Sequence, residues 1–311
     1  MKPLVIILIA LVASFFAAVY VFIPDTIQVT EIAKIRSNEK AANRSLINES
    51  KWKNWWPSYA SNRSNRALFS YNNYYYKVTN KYFEGVEMEI TKDKRVYSSF
   101  LRILPLGSDS SLIDWRLIIK NSSNPFSRIN KYMEAGRIKG NMKQLLRSLI
   151  SYLQNSEKLY GIKIENERVK DTLLISTKMT TKDYPSIIRI YSSIDSLRTF
   201  INSIQAKETN YPMLHVSKTG NGYETMVAIP VNRLLESNRQ FVFKRMVPGN
   251  ILVSEVNGGV FTVQEARREM NNYVEDNELT SPAIPFESLI TDRLKEKDTS
   301  KWITKLYYPI L

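Results

Sequence analysis

Few residues of this chain could do chemistry, and most of the familiar catalytic sets are missing. Its 311 residues include no cysteine and one histidine, His215. Thiolate catalysis, disulfides and most His-based metal sites are therefore excluded, and any Ser-His pair would have to use His215. That residue lies in Met213-Leu214-His215-Val216, a strand pattern that suits a structural histidine. Gly258-Gly259 and Asn221-Gly222 lack the glycine spacing and the lysine of a phosphate loop. Both read as turns, and the second, between two strand candidates, reads as a hairpin. Asp292 and Asp298 flank a loop without forming a metal box, and no pair of carboxylates stands out as glycosidase machinery. Neither a metal nor a cofactor is expected.

What remains is one carboxylate in an apolar strand. Glu287 sits between Phe286 and Ser288 within the run Ile284 to Ile290, and alternation turns it away from Phe286. Lined by aromatic residues such as Trp302 and Tyr307, it could hold a cationic ligand by charge and cation–π attraction. An edge-strand glutamate facing solvent is the other reading. Tyr223-Glu224 stands at a nearly equivalent place in an earlier segment and could add to such a pocket, although an exposed strand glutamate is the simpler reading. A second aromatic group, Trp52, Trp55, Trp56 and Tyr59 with Tyr74, Tyr75 and Tyr76, reads first as packing. A cavity lining and a membrane-facing belt are its alternatives.

These residues are positioned by a unit written twice, over 172–231 and 241–310. In the first copy Met179 opens a turn before the apolar run Tyr184 to Tyr191. A helix with the stripe Ile194, Leu197, Ile201 and Ile204 follows, then strands at Met213 to Lys218 and Tyr223 to Val231. In the second copy Met246 opens the turn and Ile251 to Val256 form the run. A helix spans Thr262 to Glu275, and strands cover Ala283 to Thr291 and Lys301 to Ile310. Thr262-Val263-Gln264-Glu265 has the form of a capping box. Val263, Ala266, Met270, Tyr273 and Val274 make the apolar face, with Arg267, Arg268 and Glu269 opposite. The copies close alike, Val227-Ala228-Ile229-Pro230-Val231 against Leu306-Tyr307-Tyr308-Pro309-Ile310. A twofold repeat of strand, helix and hairpin implies two half-sheets meeting along a pseudo-symmetry axis, with a cleft between them.

Ahead of the repeat, residues 25–160 read as a separate α+β domain. Thr26 to Ile35 is a strand, and Asn38 to Trp56 gives short helices stopped by Pro57. Val86, Met88 and Ile90 alternate with Glu87 and Glu89, and Lys92-Asp93-Lys94 turns the chain into Val96 to Leu104. Leu112 to Lys120 alternates again through Trp115. A long amphipathic helix carries Met142, Leu145, Leu146, Leu149, Tyr152 and Leu153, with Gly161 as its stop. This half holds 23 Lys+Arg against 12 Asp+Glu, whereas residues 161–311 hold 20 against 18, within a net charge of +14. Beside a membrane helix, such a basic domain suits anionic headgroups. Nucleic acid is not expected as a partner, because no helix-turn-helix, zinc-finger or RNA-binding signature is present. A solvated basic surface is the plainer reading.

Leu4 to Ile23 is an apolar run of 20 residues, long enough at about 1.5 Å per residue to cross a hydrocarbon core of about 30 Å. A cleaved signal peptide is the rival. The run exceeds the usual apolar core of a signal and lacks a clear small-residue cleavage site, so a single-pass anchor over 1–24 is expected. Lys2 before the run places the N-terminus in the cytoplasm and the bulk of the chain outside.

Two resemblances add to this reading. Phe22-Ile23-Pro24, Trp52-Lys53-Asn54-Trp55-Trp56-Pro57, the alternating strands with Trp115 and the long helix resemble the START-like (SRPBCC, polyketide cyclase/dehydrase) helix-grip superfamily over residues 25–160. That resemblance implies a hydrophobic cavity between sheet and helix. Residues 163–311 resemble the GyrI-like effector-binding domain of multidrug-responsive regulators. The match is carried by Met246-Val247-Pro248-Gly249-Asn250, Val256-Asn257-Gly258-Gly259, Ile284-Pro285-Phe286-Glu287 and the close Lys305 to Ile310. This second resemblance implies an acidic residue in an aromatic pocket, and Glu287 holds that position. The regulators' DNA-binding domain is absent from this chain. The expected function is a membrane-anchored binding protein for hydrophobic small molecules, cationic ones included. The alternatives are a hydrolase of small electrophiles with Glu287 as base, lipid transfer through the START-like cavity, and an envelope scaffold.

Overall fold

The computed structural model describes residues 2–57 and 69–311, the Lys2 side chain excepted, so the expectation for Tyr59 lies outside the described residues. The chain divides into two compact units, Met1–Leu159 and Tyr160–Leu311. Both are mixed α+β.

In the first unit, helix α1 (Lys2–Phe22) leads into strand β1 (Thr26–Ile35). Helices α2 (Glu39–Ile47) and α3 (Glu49–Trp52) follow, each with an asparagine cap, Asn38 and Asn48. Strands β2 (Phe69–Tyr71), β3 (Tyr74–Tyr82), β4 (Gly85–Lys92), β5 (Arg95–Pro105) and β6 (Ser111–Lys120) complete an antiparallel sheet. Its order is β1-β6-β5-β4-β3-β2. The alternating residues Ile113, Trp115, Leu117 and Ile119 are buried, and their neighbours Arg116 and Ile118 are exposed, as a half-buried strand requires. Helix α4 (Pro125–Leu153) lies along the sheet and buries Ile138, Met142, Leu145 and Leu149. Its N-cap is Asn124, with Pro125 just inside, where the missing N–H costs nothing. Gly161, with φ +71°, ends the short helix α5 (Ser156–Tyr160), and α4 itself stops at Leu153.

The tryptophan-rich segment is core. Trp52, Trp55 and Trp56 are buried, and Trp52 stacks on Trp56 at 5.6 Å. Tyr76 meets Trp56 edge-on at 5.2 Å, while Tyr75 faces solvent.

The second unit is an eight-stranded antiparallel sheet in the order β11-β8-β10-β9-β13-β14-β12-β7. Its edges are β7 (Glu165–Arg168) and β11 (Val242–Arg245). The first half consists of β8 (Leu173–Thr181), α6 (Ile187–Ser203), β9 (Met213–Thr219) and β10 (Gly222–Pro230). The second half repeats it as β12 (Asn250–Asn257), α7 (Val260–Asp276), β13 (Phe286–Leu289) and β14 (Ile303–Ile310).

Two sequence expectations change here. The apolar run from Tyr184 is not the first strand of the repeat; that strand is β8, and Met179 lies inside it. Pro185 and the N-cap Ser186, whose hydroxyl accepts from the Arg189 amide, start a helix instead. The apolar residues then fall at helical spacing, Ile187, Ile190, Tyr191 and Ile194. The capping box is not formed either. Gly259 is the N-cap of α7 and offers no side chain, and Thr262 lies in the first turn against Gly258.

Both helices pack on one face of the sheet. Helix α6 covers Ile175, Leu214, Val227, Ile229 and Leu289. Helix α7 covers Leu252, Val256, Leu306 and Tyr308. The halves meet where β9 pairs with β13, with Leu214 opposite Glu287 and Met213 opposite Ser288.

Candidate functional site: the seam of the duplicated sheet

Register fixes where Glu287 points. Within the first half Leu214 pairs with Val227, and within the second Glu287 pairs with Leu306. Val227 and Leu306 occupy the same place in the repeated closing strands, so Leu214 and Glu287 are equivalent by the repeat and also face each other across the seam. Leu214 and Leu306 belong to the clusters under the helices. Glu287 therefore points to the helix face, from the β9–β13 pairing that joins the two halves of the sheet. The duplication keeps an apolar residue on one side of this seam and places a carboxylate on the other.

Glu287 is 4% exposed, and its carboxylate takes a hydrogen-bonded ion pair from the Arg267 guanidinium of α7. The free carboxylate expected for a cation is thus already paired. Helical spacing sets Arg267 opposite the apolar face of α7, yet its guanidinium reaches Glu287. Its position is four residues after Val263 and three before Met270, both buried, which sets it on the flank of the apolar stripe and within reach of the seam.

The aromatic surroundings are partly those expected. Tyr223 lies on the helix face and meets Tyr184 edge-to-face at 5.5 Å. Burial pushes the Tyr184 hydroxyl above its ordinary value and the charge of Glu287 pushes it further, while Arg267 and Arg293 pull it down. Tyr308 of β14 donates from its hydroxyl to the Arg267 carbonyl at 3.3 Å, and burial holds it up at about 12. Trp302 is buried at the same face, its ring 5.0 Å from the Arg293 guanidinium, and its Nε1 donates to the Glu296 carbonyl. No local pattern marks Tyr184, Tyr308, Arg267 or Arg293 as residues of this site.

Tyr307 and Glu224 are not brought to Glu287. Tyr307 pairs with Phe286 and stacks on it at 4.9 Å, on the face away from the helices. There it lines a cavity of about 200 Å³ with Phe286, Met213, Met246 and Ile251. Glu224 alternates with the helix-face residues Tyr223 and Thr225, so it also faces away, and it is exposed in a 2.8 Å ion pair with Lys178. One-residue parity separates these two from the seam. His215 is half-buried with its Nδ1 2.7 Å from the Pro285 carbonyl, and burial lowers its pKa below the ordinary histidine value. This contact and burial suit a structural histidine. Among the described residues no group of three or more His, Cys, Asp or Glu could hold a metal ion.

No family model matches the chain, and no curated protein matches it. Solved structures do resemble it. One is the C-terminal domain of EcmrR, at 16% identity and TM-score 0.39, covering 48% of this chain and 98% of that one. Another is SAV2435 bound to tetraphenylphosphonium, at 12% identity and TM-score 0.33, covering 48% and 94%. A START superfamily protein from Mycobacterium smegmatis matches at 12% identity and TM-score 0.30, covering 40% and 96%. At such identities, and with TM-scores under 0.5, these are likenesses of outline, and any function must be argued from the residues of the seam.

Proposed function

We propose that the chain is a membrane-anchored binding protein for small apolar molecules, received on the helix face of the second unit at Glu287. The observation that carries this reading is the asymmetry of the seam. A buried ion pair is poor value for stability compared with apolar packing, and the equivalent position of the first half manages with Leu214. A seam position that could have been apolar instead holds a carboxylate, and a guanidinium and tyrosines from other elements gather near it, which suits recognition better than folding. Arg267 pairs with Glu287, so the ligand gains access as this side chain turns aside. A lipophilic cation would have to displace the Arg267 guanidinium from the carboxylate.

The anchor rests on α1, whose residues 3–22 are long and apolar enough to cross a membrane, a test that an N-terminal signal sequence also passes. Its far end is built into the first unit. Tyr20 donates to the Ser123 carbonyl, Arg128 donates to the Ile23 carbonyl from Nε at 2.8 Å, and Arg128 pairs with Asp25 at 2.8 Å. Cleavage after Asp25 would remove the Ile23 and Asp25 partners of a buried arginine, which favours the retained anchor.

The test is thermal stability of the full chain in neutral-lipid nanodiscs with apolar aromatic amides and with tetraphenylphosphonium. A ligand at about 100 times its dissociation constant adds about 2.7 kcal/mol. The expected result is stabilisation by at least one class that is lost in Glu287→Gln and reduced in Tyr184→Ala. Stabilisation indifferent to both variants would place the ligand elsewhere and overturn the reading. Turnover of a bound compound, abolished in Glu287→Gln, would convert the binding protein into an enzyme.

A further inference from the structure

We infer that the seam carries an anion subsite centred on Arg293, so that its ligand is a small organic acid, an apolar body with one anionic head. This rests on the seam being a binding site and goes beyond it by fixing the charge of what binds.

Arg293 belongs to a segment that only the second half possesses. The first half joins β9 to β10 through Gly220-Asn221, whereas residues 290–302 intervene between β13 and β14. That longer connection is tied back to α6. The Arg293 amide donates to the Tyr191 hydroxyl at 2.8 Å, and this hydroxyl donates to the Thr291 carbonyl at 3.1 Å. The guanidinium then reaches the helix face, where its Nη2 donates to Thr304 Oγ1 at 2.8 Å. Thr304 is two residues along β14 from Leu306, the partner of Glu287. The threonine does not need the arginine: its equivalent Thr225 is fully buried too, with its hydroxyl unpartnered.

Arg293 is 8% exposed, and its Nε is buried with no hydrogen-bond partner. Its guanidinium lies over Trp302 at 5.0 Å, and among the described residues no carboxylate comes within ion-pair distance of it. The nearby carboxylate on this face, Glu287, is held by Arg267. Arginine stays protonated in a protein interior, so it cannot escape burial by losing its charge, and a buried cation without a counter-ion is unfavourable. The Tyr184 hydroxyl feels Glu287, Arg267 and Arg293 together. Glu287 pairs with Arg267 and Asp292 with Lys295 at 3.4 Å, which leaves Arg293 without an ion-pair partner among the described residues. A carboxylate, sulfonate or phosphate head placed there would accept from Arg293 Nε and from the Arg267 donors that Glu287 leaves unused, as charge-assisted hydrogen bonds.

The experiment titrates the full chain in phosphatidylcholine nanodiscs with naphthalene-2-carboxylate, naphthalene-2-carboxamide and naphthalen-2-ylmethylammonium, one body with three heads. The carboxylate is expected to bind at least about tenfold more tightly than the amide, with the ammonium weakest. Its affinity should hold from about 50 to about 500 mM salt, because the site is buried. Arg293→Lys, which keeps the charge but loses the fork, should cost the carboxylate about tenfold and the amide clearly less. The headgroup series on the unaltered chain decides the matter even if that variant folds poorly. An amide that binds as well as the carboxylate, with binding lost in Glu287→Gln, overturns the anion subsite and leaves the seam as a binding site. Binding of the carboxylate that fades with salt and ignores Arg293→Lys is contact with the basic surface and also overturns it. No binding by any of the three overturns both readings.

Discussion

Glu287 and Arg267 make a claim that stability measurements can separate from function. If the pair serves recognition, replacing both with apolar residues should be nearly neutral for folding. Arg267→Met alone strands a buried carboxylate and is expected to lower stability by about 1–3 kcal/mol, less than a fully buried pair would cost because Arg267 is partly exposed. Arg267→Met with Glu287→Leu should recover most of that loss in denaturant titration. A double variant as unstable as the sum of its parts would make the pair a structural element. Asp114 in the first unit behaves differently. Burial pushes its carboxyl up, but hydrogen bonds and charge from Arg116 and Arg102 outweigh this and hold it below the ordinary value of 3.8. A depressed carboxylate contributes stability above its unfolded-state pKa and loses it as pH falls through the folded value. The unaltered chain and Asp114→Asn should therefore differ at neutral pH and converge as pH drops below about 4. Divergence that persists in acid would assign the effect to packing.

At the scale of elements, alternation was the legible signal. Strands β1, β4, β5 and β6 and the long helix α4 stand where period-two and helical spacing put them, because each buries one face against a single core. Strands β2 and β3 carry no such signal: Tyr74, Tyr75 and Tyr76 look uniformly aromatic, although Tyr75 is exposed between two buried neighbours. The first strand of the repeat is ambiguous in sequence because isoleucines at the start of α6 satisfy an extended run as well as a helical stripe, and Pro185-Ser186 decides between them. Glu287 was legible as a carboxylate in an apolar strand, but its partners were not. They come from α7, from the β8–α6 connection and from residues 290–302, and no local pattern states which side chains meet across a seam. The start of α7 offers a check. Gly258 has φ +140°, and an added Cβ would meet Thr262 Oγ1 at 2.7 Å. Gly258→Ala is expected to cost about 1–3 kcal/mol through strain alone, read as a lowered unfolding midpoint, and a neutral outcome would mean the turn relaxes freely.

Over the whole molecule, two compact α+β units follow an apolar helix whose end is gripped by Arg128. Charge is uneven between the units, and this was readable from composition; the clasp on α1 was not, since it joins Tyr20, Ile23 and Asp25 to residues about a hundred positions away. Material expressed from the full gene should keep its N-terminal helix and stay with the membrane through carbonate washing, with intact mass as the check. A mature N-terminus within residues 18–25 would show that α1 is removed.

The central claim is that small apolar molecules are received at the seam of the second unit. Photolabelling tests it most directly. The full chain in nanodiscs is irradiated with a diazirine-bearing naphthalene carboxylate, and the labelled peptides are mapped by mass spectrometry. Labels are expected on peptides carrying Tyr184, Tyr223, Arg267 and Glu287, and competition by unlabelled compound should remove them. Labels confined to residues 69–153 of the first unit would contradict the account and move binding to the space between its sheet and long helix.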